Sequence, residues 1–313
     1  MIKLLFISLL LFGGSMAAVA DVMNLDKIYS AEFSYSLPKG VLENFLDGKA
    51  FDREVSHTPD EFRRLHGDID SIYRGVLEQN PIQKKVAVIT AGAPGAGKTT
   101  LQEKLLATSR EKYAYVCPDA VCLKQMESTY GAEIMEGDGS AQSRRGAYNN
   151  WRPGSNAAAH LILANLIRQG YGFYFGSTST GDKTHFFFDH LKKQGYQIKL
   201  VHVSASDDVR FAANSKRDDT FVQTSKADEV EKGKLLPQRI NDTYLAYADT
   251  IDFYHRGAAD GEAALAATWT RGKGVEVLDR GQYDKIKDIH NAGIKGLDNE
   301  AELKWEAAVE AGA

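Results

Sequence analysis

Two cysteines in 313 residues cannot supply a disulfide framework. An excess of one charge is missing as well. Lys and Arg number 38 against 42 Asp and Glu, a net charge of −4, which argues against a protein built to coat nucleic acid. Seven prolines without a glycine repeat, and no Cys/His cluster at zinc spacing, exclude collagen, a mucin-like stalk and a zinc-finger array; composition also excludes a coiled coil. After residue 20 no apolar run reaches the roughly 20 residues that a spanning helix needs. What is present is 43% apolar content, enough for a sizeable core, and a length suited to one large α/β domain with appendages or to about two domains.

The first twenty residues, MIKLLFISLLLFGGSMAAVA, form a separate object. Lys3 supplies a short positive start, Leu4 to Phe12 an apolar run, and Ala18-Val19-Ala20 a small-x-small cleavage pattern. This is the layout of a secretory signal peptide cleaved before Asp21. Export is therefore expected, periplasmic or secreted, or with delivery into a target cell, and no stable membrane span is expected after cleavage. In an oxidising compartment Cys117 and Cys122 could pair, but their spacing at a strand-to-helix junction favours two buried free thiols.

Residues 21–80 read as a helical N-terminal extension. Thr58 before Pro59-Asp60-Glu61 is a helix start, and Phe62, Leu65, Ile69, Ile72, Tyr73 and Val76 follow as one apolar stripe. A β-rich run at 84–91 comes next, then a glycine-rich turn and a helix over 99–109. Further strands are expected at Tyr113–Cys117, Tyr171–Phe175, Ile198–Val203 and Val275–Leu278. Helical stretches near 119–128, 155–169, 183–194, 206–217 and 235–254 separate them, and the tail at 291–313 carries a surface helix over Asn299–Ala311. Strands alternating with helices indicate βαβ units and a mainly parallel sheet flanked by helices.

The strongest signal is Gly92-Ala93-Pro94-Gly95-Ala96-Gly97-Lys98-Thr99, with Thr100 behind it, a full G-x-x-x-x-G-K-[ST] match. Glycines let backbone N–H groups converge on phosphate oxygens, and the following helix offers its N-terminus to the anion. Lys98 is placed for the β- and γ-phosphates and the Thr99 hydroxyl for Mg²⁺. The GTP-specific N-K-x-D is absent, which favours ATP. Neither Leu278-Asp279 nor the Gly-Ser-Thr-Ser-Thr after Phe175 supplies a clear acidic pair of the motor-ATPase type, which leaves kinases.

With these residues in place, the stretch from about 84 to 290 resembles the zeta toxin family, P-loop kinases that phosphorylate a hydroxyl of UDP-N-acetylglucosamine. The resemblance implies a P-loop NTPase-type fold over 81–290, ATP and Mg²⁺, and a small-molecule acceptor such as a nucleotide sugar. As general base it implies Asp119, twenty-one residues beyond Lys98, where a carboxylate at a strand's C-terminal end faces the crevice in which open α/β sheets bind ligands; a plain helix N-cap is its structural alternative. It also implies an antitoxin-like protein partner; no nucleic-acid partner is expected. Arg152-Pro153-Gly154-Ser155-Asn156 resembles the family's helix opening, which assigns Asn156 to the acceptor, with His160 where the family has a glutamate. Thr178 matches the family's strand-end threonine, whereas Gly176 and Thr180 replace an acid and an arginine. Arg217 falls on the first phosphate-contacting arginine and Lys234 replaces the second, each with a solvated helix-end cation as its alternative. The expected activity is transfer of the ATP γ-phosphate to an acceptor hydroxyl. Its alternatives are a nucleotide-binding protein or slow ATPase whose acceptor site is eroded, and a kinase acting on a macromolecule.

Overall fold

The computed structural model describes residues 57–181, 184–216 and 226–294. The signal segment 1–20, most of the extension, Arg217 and the tail helix expected over 299–311 lie outside the described residues.

Helix α1 (Pro59–Glu78) begins as its cap residues dictate. Thr58 accepts from Glu61 N while the Glu61 carboxylate takes the Thr58 N–H, a complete capping box. Its apolar stripe is not an exposed contact face. Leu65, Ile69, Ile72, Tyr73 and Val76 are buried in the same cluster as the sheet, so α1 is part of the core. Burying such side chains contributes roughly 1.5–3 kcal/mol each.

Seven strands form one sheet in the order β2-β3-β1-β4-β5-β6-β7. They are β1 (Val86–Ala91), β2 (Ala114–Val116), β3 (Phe173–Phe175), β4 (Gln197–Ser204), β5 (Thr250–Arg256), β6 (Ala263–Thr270) and β7 (Gly274–Val277). The first five strands of this order are parallel, while β6 and β7 are antiparallel additions. Strand β1, VAVITA, is buried along its whole length, as a central parallel strand covered on both faces must be. Ala87, Ile89 and Ala91 face one cluster and Val86 and Val88 the other, the two-residue alternation of a strand. Helix α2 (Lys98–Thr108) covers one face through Leu101. The opposite face is covered by α1, by α4 (Ala141–Gln169), which follows the short α3 (Ala132–Glu136), by α5 (Thr184–Lys193) and by α9 (Arg280–Ile294). Between β4 and β5 lie α6 (Asp207–Ser215), α7 (Lys226–Arg239) and the single turn α8 (Leu245–Tyr247).

Three expectations change. The helix expected near 119–128 is two π-helical turns, Pro118–Leu123 and Glu127–Gly131; such wide turns are rare and frequent at functional sites. The helix expected from 155 begins at Ala141 and carries Pro153 inside it. The ring removes one backbone bond, but buried Trp151 holds the preceding turn by donating to Glu133 Oε2 at 2.6 Å. The helix expected over 235–254 stops early, and β5 and β6 follow. In β5, Ile251, Phe253 and His255 are buried and alternate with half-buried Asp252 and Tyr254. In β6, AALAATWT has a helix-forming alanine content that pairing with β5 overrides. Among the described residues no helix is long and apolar enough to cross a membrane.

Candidate functional site

The parallel strands end together. Val116, Phe175 and Ile89 are in register, as are Ala91 and His202. The loop at 92–97 therefore leaves the same sheet edge as the segment holding Asp119, two strand spacings or about 10 Å across. The chain order departs from β1 toward β3 on one side and β4 on the other, which is where open α/β sheets form a ligand crevice.

The loop has the backbone that its glycines allow. Gly95 has φ +80°, and a Cβ there would lie 2.4 Å from the Arg210 carbonyl oxygen, so no other residue fits. Gly97 caps α2 without a side chain, leaving the helix's first N–H groups directed at the loop. Lys98 Nζ reaches back to Ala93 O at 3.0 Å, and Gly92 N donates to Thr178 O at 3.1 Å. The loop after β3 is tied to β1 as well: Thr90 Oγ1 donates to Ser177 O at 2.9 Å and Ser179 Oγ to Thr90 O at 2.7 Å. Thr178 thus sits against the phosphate loop, its hydroxyl 3.0 Å from that of Thr180.

Asp119 is the second residue of the first π-helical turn, three residues beyond β2; the N-cap position is Cys117, so Asp119 is not the plain helix cap that was its alternative. Its Oδ1 lies 3.1 Å from Arg152 Nε, and its side chain is 45% exposed, open to a ligand. Arg152 also donates to Tyr148 Oη at 3.1 Å, Ser155 Oγ at 3.1 Å and Asn156 Oδ1 at 2.5 Å. One guanidinium therefore brings Asp119 and Asn156 together. His160, one turn farther along α4, meets Phe175 edge-on at 5.8 Å between ring centroids. Helix α1 fixes the segment beyond Asp119: buried Asp68 accepts from Ser128 N at 3.0 Å and Thr129 Oγ1 at 2.6 Å. Lys98, Thr178, Asp119, Asn156 and His160 thus gather on the edge that carries β1, β2 and β3.

The positions that depart from the resembled pattern have a packing reason. A Cβ on Gly176 would stand 2.8 Å from Cys117 Sγ and 2.9 Å from its Cβ, so an acid cannot be seated there while β2 ends where it does. Thr180 is 2% exposed and its carbonyl accepts from Arg239 Nε at 3.1 Å; an arginine at 180 would have to leave this pocket. Cys117 and Cys122 are buried free thiols, and burial pushes both upward in pKa.

On the other side of the loop, a cleft is lined by Ala93, His202, Ser204, Arg210, Gly233 and Leu236 among others. Lys234 is exposed on α7, beside Gly233, which lines the cleft. Two arginines that sequence reading passed over touch the loop. Arg210 on α6 and Arg256 at the end of β5 donate to Pro94 O and Gly95 O. Their partners are 116 and 161 residues away, and no local spacing signals such a contact.

Burial lowers His160 to about 4, assisted by the Arg152 charge, and lowers His202 to about 3, assisted by His290 and Lys98. Both histidines are held neutral in the fold while the unfolded chain protonates near 6.5. Their contribution is complete above pH 6.5 and is lost as pH falls toward 4, at about 1.4 kcal/mol per pH unit for each histidine. Urea unfolding at pH 7 and pH 5 is expected to show a loss on the order of 3 kcal/mol, about halved in His160→Gln.

Residues 71–217 match the family model described as Zeta toxin. Similar solved structures include a crystal structure of AvrRxo1-ORF1:AvrRxo1-ORF2 with sulphate ions, 14% identical at a TM-score of 0.50, the match covering 82% of this chain and 86% of that one. The native AvrRxo1-ORF1:-ORF2 complex is 16% identical with a TM-score of 0.48, covering 82% and 86%. A structure of the PezAT chromosomal toxin–antitoxin system of Streptococcus pneumoniae is 16% identical with a TM-score of 0.44, covering 79% and 98%. No curated protein matches the chain. At these identities the first of these likenesses shows the fold: a mostly parallel, helix-flanked sheet of the P-loop type.

Proposed function

We propose that this chain, whose residues 71–217 match the zeta toxin family, transfers the γ-phosphate of ATP to a hydroxyl of a small acceptor, a nucleotide sugar of the UDP-N-acetylglucosamine kind. The observation that carries this reading is the shared edge: a glycine loop at 92–97 whose Gly95 admits no Cβ, and Asp119 two strands away with its carboxylate half-exposed at the end of the same sheet. The loop amides and Lys98 bind the triphosphate and neutralise charge as it shifts to the leaving ADP oxygen. Asp119 accepts the acceptor hydroxyl's proton as that oxygen bonds to the γ-phosphorus and the bond to ADP breaks. Asn156, His160 and Thr178 line the acceptor side.

Thr99, in the first turn of α2, supplies one oxygen for Mg²⁺. Among the described residues no cluster of three His, Cys, Asp or Glu could hold a metal, which fits an ion held mainly by phosphate oxygens and water. When bound, Mg²⁺ offsets phosphate charge. Arg217 belongs to the proposal as a further cation over the γ-phosphate, with Lys234, exposed on α7, as the second. An antitoxin-like partner belongs to the proposal on the family resemblance of residues 71–217 alone. Export rests on the pattern of residues 1–20 alone.

Gly176 and the buried Thr180 favour one second reading, a nucleotide-binding protein or slow ATPase without small-molecule kinase activity, because neither supplies the charge that would grip a nucleotide sugar. Incubating the purified chain with MgATP and a panel of nucleotide sugars and nucleotides, with mass spectrometry of the products, separates the two. A product heavier by one phosphate is expected. ADP formation without any phosphorylated acceptor favours the second reading.

A further inference from the structure

We infer that Arg256, together with Arg210, is a positioning residue that presets the phosphate loop by drawing two consecutive carbonyls outward. This inference rests on the nucleotide reading given above and concerns how the loop acquires its shape. Arg256 Nη1 donates to Gly95 O at 3.1 Å, its Nε donates to Ala258 O at 3.1 Å and Gly261 O at 3.0 Å, and Nη2 donates to Ala259 O. The guanidinium is therefore held by four carbonyls, three from the β5–β6 connection and one from the phosphate loop. It lies flat against Gly97, where a Cβ would come within 3.1 Å of Nη1 and 3.2 Å of Cδ. Arg210, 2% exposed, donates through Nη1 to Pro94 O at 3.4 Å and to Glu229 O at 3.0 Å, while Nη2 pairs with Asp207.

The consequence follows from peptide geometry. Across a trans peptide the C=O and the next N–H point in opposite directions. Turning Pro94 O toward Arg210 turns the Gly95 N–H inward, and turning Gly95 O toward Arg256 turns the Ala96 N–H inward. The Ala96 N–H does point inward: it donates to Ala93 O at 3.2 Å, the same oxygen that receives Lys98 Nζ. A triphosphate oxygen arriving in the loop thus meets donors already aimed, which removes the ordering cost of aiming them at binding. Among the described residues no carboxylate forms an ion pair with Arg256 within 4 Å, although Asp260 acts on its charge. Burial lowers its pKa, with Asp260 opposing.

The test is calorimetric titration of the full chain and its Arg256→Ala and Arg256→Lys variants with MgATP and with magnesium tripolyphosphate, which has the phosphates but neither base nor ribose. The charge-assisted hydrogen bond to the loop is the interaction read out, and Arg256→Ala is expected to weaken both ligands by about tenfold, to the same degree. Arg256→Lys, which keeps the charge but not the fork, recovers part of the loss and carries the test if the alanine variant does not fold. Unchanged tripolyphosphate affinity in the variants, whether or not ATP binding weakens, overturns the inference, because the arginine would then act on the base or ribose or not at all. Wild-type chain that binds neither ligand overturns the nucleotide reading itself, and this inference with it. Tripolyphosphate binding in a wild-type chain that transfers no phosphate leaves the inference standing and the transferase reading refuted.

Discussion

Replacing Asp119 by alanine is expected to reduce phosphoryl transfer by about 10²–10⁴-fold, the usual contribution of a positioned general base, with MgATP affinity unchanged. The asymmetry follows from where the two groups sit. Asp119 belongs to the β2 end of the edge and pairs with Arg152, whereas the triphosphate would be held by the loop beyond β1 and by Lys98. Loss of the carboxylate leaves Arg152 with Tyr148, Ser155 and Asn156 as hydrogen-bond partners, so the acceptor wall should stay in place. Asp119→Asn preserves the side chain's shape and an oxygen for Arg152 but takes no proton, and should be nearly as slow. Steady-state rates with an accepted substrate, beside a calorimetric Kd for MgATP, check both halves. Turnover within a few-fold of wild type in either variant would remove Asp119 from the chemistry.

The second large effect is expected at Lys98. Its Nζ lies inside the loop at 3.0 Å from Ala93 O, close enough to His202 to help keep that ring neutral. It is placed to exchange the Ala93 carbonyl for phosphate oxygens. Lys98→Ala should lower kcat/KM by about 10³-fold, through both binding and transition-state stabilisation, because a preorganised cation at the transferring group acts where charge develops. Unlike Asp119→Ala, it should also raise the Kd for MgATP, by about tenfold or more. Lys98→Arg is not a rescue: the space beside Gly92, whose absent Cβ would be 3.3 Å from Lys98 Cδ, suits a slender stem. Wild-type nucleotide affinity and turnover in Lys98→Ala would mean that the loop does not hold the donor.

The two variants divide the site as the sequence does. The β1–loop–α2 unit was legible because its signals are local: an apolar β run, glycines at fixed offsets and a helix start within fourteen residues. The Thr58 N-cap was legible for the same reason, although the reciprocal Glu61 contact that completes its capping box shows only in the fold. Asp119 could be placed through the family resemblance and because a strand end points to a crevice, although the π-helical form of the next turn has no sequence period of its own. The second half of the sheet was harder to read. The β5 stretch TIDFYHR was absorbed into a helix expected over 235–254, and the alanines of β6 have helix-forming composition; only pairing across the sheet makes both into strands. The start of α4 was masked by Pro153, since a proline reads as a helix beginning and tertiary contacts at Trp151 carry the helix through it.

Within the site, residues acting through long-range backbone contacts stayed hidden. Arg152 was visible only as a flank of Pro153, yet it joins Asp119 to Asn156. Arg210 and Arg256 had no motif at all. Gly176 could be read as a departure from a family pattern, but its reason, Cys117 pressed against the vacant Cβ position, exists only in three dimensions. Lys234, three residues before Pro237, stands exposed.

The most direct test of the shared crevice is a crystal structure of the chain with Mg²⁺ and a non-hydrolysable ATP analogue. The predicted result is a triphosphate wrapped by residues 92–99, with a carboxylate oxygen of Asp119 about 6 Å from the γ-phosphorus, leaving room for one hydroxyl about 3 Å from each. A nucleotide bound elsewhere, or a γ-phosphate whose line of attack is closed to Asp119 by Arg152 or by the loop at 176–180, would contradict it.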